Sequence, residues 1–333
     1  MTTLALLPDP ATPLSSESAE AAFDDILDGK VAHEHVAAFL TTMALRDETS
    51  VEIAAAARAY RKRMIPIRAP ADAIDVCGTG GDDAHSLNIS TAVAIVVAAC
   101  GVPVAKHGNR AASSKAGAAD TLEALGLDLD RASVRAEESL AELGLAFLFA
   151  QTHHPALARL APIRKAIGRR TILNLIGPIA NPAGVTRQLI GVARTDYVDV
   201  YAEALSQLGT QSAMVVSGDE GLDELSIAGG SRAVRIGACG ERSEHVTPED
   251  ATLPRHPLTA LRGDDAAHNA GALRRLLAGE PGAYRDAVLL NAAAALIVAE
   301  RAGDWREGAS IAAEAIDSGV ALRLLDRWIA FSR

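Results

Sequence analysis

The N-terminal part of the chain carries apolar residues at helical spacing. Three segments between residues 15 and 63 repeat apolar positions about every 3.6 residues, which predicts three amphipathic helices. Gly29 closes the first helix, and Thr49 or Ser50 caps the third. Pro66 and Pro70 then end this helical layer. The pattern predicts a small all-helical domain over residues 1–70.

From residue 73 onward the pattern changes to short apolar runs separated by helical segments. The predicted strands are AIDVC, VPVAKHG, RQLIGVA, SAMVVSG and AVRIGA, and the predicted helices include STAVAIVVAAC and DYVDVYAEALSQLG. Strands that alternate with helices indicate an α/β fold with a mostly parallel central sheet and surrounding helices. Residues 266–328 are again helical in pattern. We therefore predict an α/β domain over residues 71–333, with a segment near 166–185 returning to the helical domain.

Composition narrows the classes of function. The 333 residues carry a formal net charge of −10, which disfavours a nucleic-acid partner and an acidic membrane surface. No apolar run is typical of a membrane span, and the N-terminus does not resemble a secretion signal. The cysteines Cys77, Cys100 and Cys239 lie far apart, as expected of reduced thiols in a cytoplasmic protein. An anionic ligand must then be met by local positive charge or by a metal ion.

The sequence GTGGD follows the first predicted strand. A glycine turn between a strand and a helix lets backbone N–H groups approach an anion. It is neither the nucleoside-triphosphate loop nor the dinucleotide fingerprint. The next residues add side-chain donors at Ser86, Asn88, Ser90 and Thr91. A plain connecting turn, with Ser90 as the N-cap of the next helix, is the structural alternative.

Two further polar segments are candidates for the same site. Residues 106–126 gather Lys106, His107, Arg110 and Lys115 after a strand, where α/β proteins bind ligands, although a solvated surface is the alternative. The run SGDEGLDELS, residues 217–226, contains two adjacent carboxylates, Asp223–Glu224. In a turn both can converge on Mg²⁺, and two exposed acids are the alternative.

These segments together resemble a known family. In this order, GTGGD, NIST, KHGNRAASSKAGAAD, IRKAIGRRTILNLIGPIANPAG and GDEGLDELS are similar to the anthranilate phosphoribosyltransferases. The resemblance covers nearly the whole chain from about residue 17. It implies a transferase that moves the phosphoribosyl group of 5-phosphoribosyl diphosphate (PRPP) to the amine of anthranilate and releases pyrophosphate, the second step of tryptophan biosynthesis from chorismate. It also implies Mg²⁺ as cofactor and a homodimer formed through the small helical domain.

The resemblance assigns site residues by position. Those implied to bind PRPP are Gly78, Gly81, Asp82, Ser86, Asn88, Ile89, Ser90, Thr91, Lys106, His107, Gly108, Asn109, Arg110, Ala111, Ala112, Ser113, Ser114 and Ala118. Those implied to bind anthranilate are Gly78, Asn109 and Arg164, and the implied metal ligands are Ser90, Asp223 and Glu224. His154 matches a position near the anthranilate entrance. No general base is assigned, although His107 is available; a structural histidine is the alternative.

Three positions depart from the family pattern. Ala118 stands where a serine usually contacts the substrate phosphate, Asp83 where glycine is common, and Leu87 where phenylalanine is frequent. One missing neutral hydrogen bond costs about 0.5–1.5 kcal/mol, which weakens binding without abolishing a reaction. The alternatives to the transferase are a pyrimidine nucleoside phosphorylase, which shares the fold, and a non-catalytic paralogue.

Overall fold

The N-terminal helices form as their capping residues predict. The computed structural model of the chain describes residues 5–111, 115–238 and 240–333. Three helices open the described chain: α1 (Ser16–Leu27), α2 (His33–Arg46) and α3 (Ser50–Arg61). Thr49, rather than Ser50, is the N-cap of α3, because its hydroxyl accepts from the Glu52 amide while the Glu52 carboxylate accepts from the Thr49 amide.

The remaining elements alternate between strands and helices. The strands are β1 (Ile74–Gly78), β2 (Val104–Gly108), β3 (Leu145–Phe149), β4 (Arg187–Gly191), β5 (Ser212–Gly218), β6 (Ser231–Gly237) and β7 (Gly240–Val246). The helices are α4 (Ile89–Ala99), α5 (Ala118–Leu125), α6 (Leu129–Val134), α7 (Ala136–Leu143), α8 (Ala150–His153), α9 (Pro155–Ile167), α10 (Ile172–Leu175), α11 (Val198–Gln207), α12 (Ala266–Leu277), α13 (Ala283–Val298), α14 (Trp305–Asp317) and α15 (Val320–Phe331).

One mostly parallel sheet organises the α/β part. Within the described residues its strand order is β3-β2-β1-β4-β5-β6-β7. The first five strands in that order are parallel, and β6 and β7 are antiparallel additions. The predicted fold class is therefore confirmed. Chain order runs outward from β1 in both directions, so the topological switch point, where ligands bind in open α/β sheets, lies at β1.

Alternation along the strands divides the core between the two faces of the sheet. Val76 and Leu189 pack with α4 and α13 on one face, and Cys77 and Ile190 pack toward α3 and α11 on the other. The helical layer joins this second cluster, since buried residues of α1, α2, α3, α9 and α10 belong to it. Hence α9 and α10 contact the N-terminal helices. The domain boundary at residue 70 and the return of a segment near 166–185 to the helical domain stay predictions.

Two strands escaped the sequence prediction for different reasons. β3, with the sequence LAFLF, is a continuous buried run that periodicity cannot distinguish from a helical segment. β7, with the sequence GERSEHV, is a polar edge strand that is mostly exposed, so no apolar alternation marks it. Among the described residues, no helix is both long and apolar enough to cross a membrane.

Candidate active site

Polar loops converge where the parallel strands end. Four of the five parallel strands finish on glycine, at Gly78, Gly108, Gly191 and Gly218, so the chain leaves this edge of the sheet without side chains in the way. Gly78 and Gly191 lie opposite each other in neighbouring strands. Both face the turn that carries Asp223: a Cβ on Gly191 would lie 1.6 Å from the Asp223 carbonyl oxygen, and one on Gly78 would lie 2.3 Å from its Oδ2. Bare backbone is therefore required at both positions.

We expect Gly191→Ala to disrupt the site, because the clash is with backbone that has no flexible end to move. Activity at this site should fall at least tenfold, and overpacking of this kind typically costs about 1–3 kcal/mol of stability. The matched control is Gly237→Ala at the end of β6, where an added Cβ meets nothing within 4 Å. Urea unfolding and initial rates measured on both variants check the prediction, and equal behaviour of the two would contradict it.

The loop after β1 has the backbone of an anion-binding turn. Gly80 and Gly81 have φ angles of 68° and 73°, and the Thr79 amide donates to the Gly191 carbonyl at 2.9 Å. Asp83 also has a positive φ, 55°, in the region that favours glycine. The structure thus gives a physical reason for the glycine expected there: Asp83 adopts a backbone that costs a non-glycine residue free energy.

The two adjacent carboxylates of the 217–226 turn accept hydrogen bonds from two different backbone amides of the same candidate site. Asp223 Oδ2 accepts from the Gly80 amide at 2.6 Å, and Glu224 Oε1 accepts from the Ser90 amide at 3.1 Å. Burial, followed by the charge of Asp82, raises the pKa of Asp223 well above its usual value. Burial and the neighbouring Asp223 likewise raise the pKa of Glu224. The combined negative charge of Asp82, Asp223 and Glu224 favours the binding of a cation.

These residues fit a magnesium ion that shares its coordination with substrate. No group of three or more His, Cys, Asp or Glu side chains arranged to hold a metal is found among the described residues. Mg²⁺ characteristically takes only one or two carboxylates and completes its shell with water and substrate phosphates. Asp223, Glu224 and the Ser90 hydroxyl fit that demand, and burial together with neighbouring acidic charges raises the pKa values of the two carboxyl groups.

Lys106 places a buried positive charge beside the carboxylates. It points across the sheet from β2, is 3% exposed, and donates to the Val76 carbonyl at 2.7 Å and to Ser90 Oγ at 3.1 Å. Ser90 is not the N-cap of α4, because the helix already begins at Ile89 and Asn88 occupies the N-cap position. The charge of Lys106 opposes the rise in the pKa of Glu224, so the ammonium lies within electrostatic reach of the candidate metal ligands.

A polar cleft lies close to the N-terminus of α4. It has a volume of about 540 Å³ and is lined by Ser86, Lys115 and Arg262 together with neutral and acidic neighbours. Asn269, which also lines the cleft, donates from Nδ2 to the side-chain oxygen of Asn88 at 3.0 Å, and Thr121 Oγ1 donates to the same oxygen at 2.6 Å. The cleft is large enough for a sugar phosphate, with donors from three parts of the chain.

The segment after β2 is organised by an aspartate that sequence reasoning missed. Asp120 accepts from the amides of Ala111 at 3.1 Å and Gly117 at 2.8 Å, and from Arg110 Nη1 at 2.9 Å. Arg110 also pairs with Glu123, so its guanidinium is engaged on α5 rather than free in the cleft. Asn109 is exposed. The predicted contacts Ala112, Ser113 and Ser114 lie outside the described residues.

Other predicted residues occupy the site only through backbone or small side chains. Ile89 is buried in the core, so it can offer only main-chain groups. Ala118 is the first residue of α5, and its Cβ lies close to Gly108.

Leu87 is buried, and its amide donates to the Leu261 carbonyl. Cys77 is buried, and burial raises the pKa of its thiol, which agrees with a packing role. Thr91 is buried, and its hydroxyl has no partner among the described residues.

A second cluster of side chains lies between β2 and the helical layer. The ring of Tyr60 stacks on His154 with 4.7 Å between centroids, and His154 lies 5.0 Å from His107. The Nε2 atoms of both histidines are buried without a hydrogen-bond partner among the described residues. His107 Nδ1 lies 3.1 Å from the Gly177 carbonyl, so Nδ1 carries the hydrogen and Nε2 is a bare acceptor.

Both histidines are held neutral. Burial, followed by the charge of the other histidine, lowers the pKa of His107 to about 3. Burial, followed by the charge of His153, lowers the pKa of His154 to about 4. His107 is therefore a weak proton acceptor and a poor candidate for a general base. Its neutral ring could instead pack against an aromatic ligand.

Acid should destabilise the protein partly through this cluster. A folded-state pKa below the unfolded value of about 6.5 means that the unfolded chain binds the proton first, so stability present above pH 6.5 is lost as the pH falls. Between pH 6 and 5 each such histidine adds a slope approaching 1.4 kcal/mol per pH unit. We expect His154→Phe to remove one such contribution while keeping the stack on Tyr60. Denaturant unfolding at both pH values measures the slope, and an unchanged slope would contradict the prediction.

The three arginines of residues 164–170 have different surroundings. Arg164, on α9, is half-buried, and its guanidinium makes no hydrogen bond to the described residues. Burial raises the pKa of the Tyr60 phenol, and the charge of Arg164 opposes that rise, so Arg164 lies within electrostatic reach of the aromatic cluster. Arg169 is exposed. Arg170 donates to Thr79 Oγ1 at 3.1 Å and to the Gly81 carbonyl at 3.4 Å. Sequence patterns alone could not separate the three.

Comparison with known proteins finds relatives that match nearly the whole chain. Residues 70–322 match the model of the glycosyl transferase family a/b domain, and residues 10–64 match the helical bundle domain of the same family. The anthranilate phosphoribosyltransferase of Novosphingobium aromaticivorans is 65% identical over 98% of this chain and 99% of its own.

Solved structures give the same result. The anthranilate phosphoribosyltransferase of Thermus thermophilus superposes with a TM-score of 0.92 at 44% identity, covering 97% of each chain. The Saccharomyces cerevisiae enzyme, solved in complex with PRPP and Mg, superposes with a TM-score of 0.87 at 28% identity, covering 96% of this chain and 93% of the other.

Proposed function

The chain belongs to the anthranilate phosphoribosyltransferase family, and on that premise we propose that its cleft transfers the phosphoribosyl group of PRPP to anthranilate. The bond between the anomeric carbon and the diphosphate oxygen breaks, a bond from that carbon to the amine nitrogen forms, and one amine proton is released. The observation that carries the proposal is the meeting of a glycine loop with a carboxylate pair at one edge of the sheet, where Asp223 accepts from the Gly80 amide and Glu224 accepts from the Ser90 amide.

The donor half of the site is built from the loop and its neighbours. We propose that the loop at Gly78–Asp82 receives the diphosphate through its backbone amides, and that Asn88 and Ser86 bind the sugar phosphate from the 540 Å³ cleft. Mg²⁺, when bound by Ser90, Asp223 and Glu224, supplies positive charge to the diphosphate. Lys106 adds a fixed charge on the same side. These contacts favour negative charge where the leaving group develops it.

The acceptor half is built from the helical layer and the end of β2. Arg164 has the planar, two-donor geometry that matches a carboxylate. The stacked rings of Tyr60 and His154, with the neutral His107, offer an apolar wall to a flat aromatic ring. We propose that Asn109, which is exposed directly after β2, orients the amine. Tyr60 was absent from the predicted site, because a tyrosine on an amphipathic helix is typical of the core.

Catalysis in this arrangement depends on positioning and charge. The transition state develops positive charge on the ribose and negative charge on the departing diphosphate, and an aromatic amine attacks as the neutral species. Holding both substrates in contact supplies a large part of the rate enhancement. The low pKa of His107 argues against a strong general base in the described site.

The test of the function is the loss of anthranilate fluorescence when purified protein, PRPP and Mg²⁺ are mixed, with a metal-free control. Metal-dependent loss is expected. No loss together with thermal-shift binding of PRPP would point to another acceptor. The absence of both would overturn the proposal and leave the non-catalytic paralogue. A pyrimidine nucleoside phosphorylase activity, assayed by phosphate-dependent release of thymine from thymidine, is expected to be absent.

Three further properties remain predictions from the resemblance and the sequence. We propose that Mg²⁺ is the physiological metal, that the chain forms a homodimer through its helical layer, and that it is cytoplasmic. Light scattering coupled to size-exclusion chromatography would measure the oligomeric state. A monomer at micromolar concentration would contradict the dimer.

A further inference from the structure

Arg170 reaches across from the helical layer to the glycine loop. It lies between α9 and α10, just after the turn at Gly168, which has a φ of 64°. Its Nη2 donates to Thr79 Oγ1 at 3.1 Å, and its Nη1 donates to the Gly81 carbonyl at 3.4 Å. The guanidinium carbon also lies 3.6 Å from the position that a Cβ on Gly81 would take. Arg170 thus covers one side of the loop.

The charge of this guanidinium forms no ion pair in the described part of the chain. Both of its hydrogen-bond acceptors are neutral, and one of the bonds is long. Other arginines of the structure behave differently: Arg63 pairs with two aspartates, and Arg194 with two more. Hydrogen bonds from a guanidinium to an anion are shorter and roughly twice as strong as those to neutral acceptors. Arg170 therefore gains when an anion enters the loop.

The charge of Arg170 already acts on the metal-binding side of the loop. It opposes the rise in the pKa of Asp223 that burial and Asp82 cause. The guanidinium therefore lies within electrostatic reach of the place where Mg²⁺ and a diphosphate would meet, although it does not contact the carboxylate itself.

The contacts also join two parts of the fold. The 168–172 segment packs with the helical layer, and Thr79 and Gly81 belong to the loop after β1. Arg170 is the hydrogen-bonding link between that segment and the loop in the described residues. The position of the helical layer is thereby coupled to the conformation of the loop that receives the donor.

We propose that Arg170 holds the 79–82 loop in its anion-binding conformation before substrate arrives and then donates its guanidinium to the diphosphate of the donor. The proposal rests on the proposed function for the identity of the donor, and it adds a residue that was not predicted for the site. A surface arginine that merely covers the loop would leave diphosphate affinity unchanged.

The experiment compares Arg170→Ala and Arg170→Lys with Arg169→Ala, which removes the adjacent exposed arginine. Calorimetry with inorganic pyrophosphate and Mg²⁺ measures anion affinity without any reaction, and hydrogen exchange measures the protection of amides 79–82 in substrate-free protein. We expect Arg170→Ala to weaken pyrophosphate binding on the order of tenfold to a hundredfold and to speed loop exchange. Arg170→Lys should recover part of the affinity, and Arg169→Ala should match the unmodified protein.

Steady-state kinetics provide a second readout. In Arg170→Ala the KM for PRPP should rise by a similar factor while the KM for anthranilate stays within about threefold. Equal rises for both substrates, or pyrophosphate affinity equal in the two alanine variants, would overturn the proposal. If the unmodified protein binds pyrophosphate but transfers nothing to anthranilate, the function fails while the calorimetric comparison still decides the role of Arg170. Arg170→Lys serves the comparison if the alanine variant does not fold.

Discussion

Replacing Asp223 with Asn and Glu224 with Gln together is expected to abolish the response of the transfer rate to Mg²⁺ and to lower the rate by at least about 10²–10³-fold. Both changes keep the shape of the side chains, and the amide oxygens can still accept from the Gly80 and Ser90 amides. What disappears is the negative charge. Lys106 then faces no carboxylate pair, and a divalent cation loses both of its proposed carboxylate ligands.

The same variant should be at least as stable as the unmodified protein without metal. Burial raises the pKa values of both acids, as do the charge of Asp82 on Asp223 and the charge of Asp223 on Glu224, so the folded state at neutral pH bears a cost that neutral amides remove. Loss of activity with an equal or higher midpoint of thermal unfolding would separate a metal role from a folding defect. The matched control is Asp219→Asn, an exposed carboxylate of the same turn that pairs with His245. A retained Mg²⁺ response in the double variant would put the metal elsewhere.

Arg164→Ala is expected to raise the KM for anthranilate on the order of 100-fold and to leave the KM for PRPP within about threefold. Arg164 is half-buried, its guanidinium makes no hydrogen bond to the described residues, and its charge acts on the Tyr60 phenol. A bidentate pair with a carboxylate is worth more than a neutral hydrogen bond, and its loss leaves the carboxylate desolvated. Arg164→Lys should recover little, because an ammonium lacks the planar fork.

A substrate comparison makes this test specific. Aniline has the same reacting amine and no carboxylate, so the unmodified protein should strongly prefer anthranilate. In Arg164→Ala that preference should nearly disappear, whereas Lys165→Ala, which changes an exposed neighbour on the same helix, should keep it. An equal effect of Arg164→Ala on anthranilate and PRPP would remove the assigned role.

The architecture was accessible from the sequence because it depends on local patterns. Helical spacing before residue 64, capping at Thr49, and apolar runs ending in glycine each reflect backbone geometry within a few residues. The five predicted strands form at those runs. β3 and β7 escaped because one is apolar throughout and the other is polar and exposed, so neither alternates.

The candidate site was only partly accessible in this way. The glycine loop and the adjacent acids are visible as motifs, and Lys106 follows a strand. Choosing Arg164 among three neighbouring arginines depended on the family resemblance, since all three are typical of a helix surface. The roles of these residues stay predictions until the variants are measured.

By itself the sequence determined the fold class, the family and the segments that carry polar chemistry, since each is a property of neighbours along the chain. The tertiary structure alone decided which side chains meet. Asp223 contacts Gly80 across 143 positions, and Arg170 contacts Gly81 across 89. The stack of Tyr60 on His154 likewise requires α3 and the end of α8 to pack together. The physical reason is that burial, pairing and the fate of a charge depend on distance in space, which the sheet order sets and local spacing does not contain.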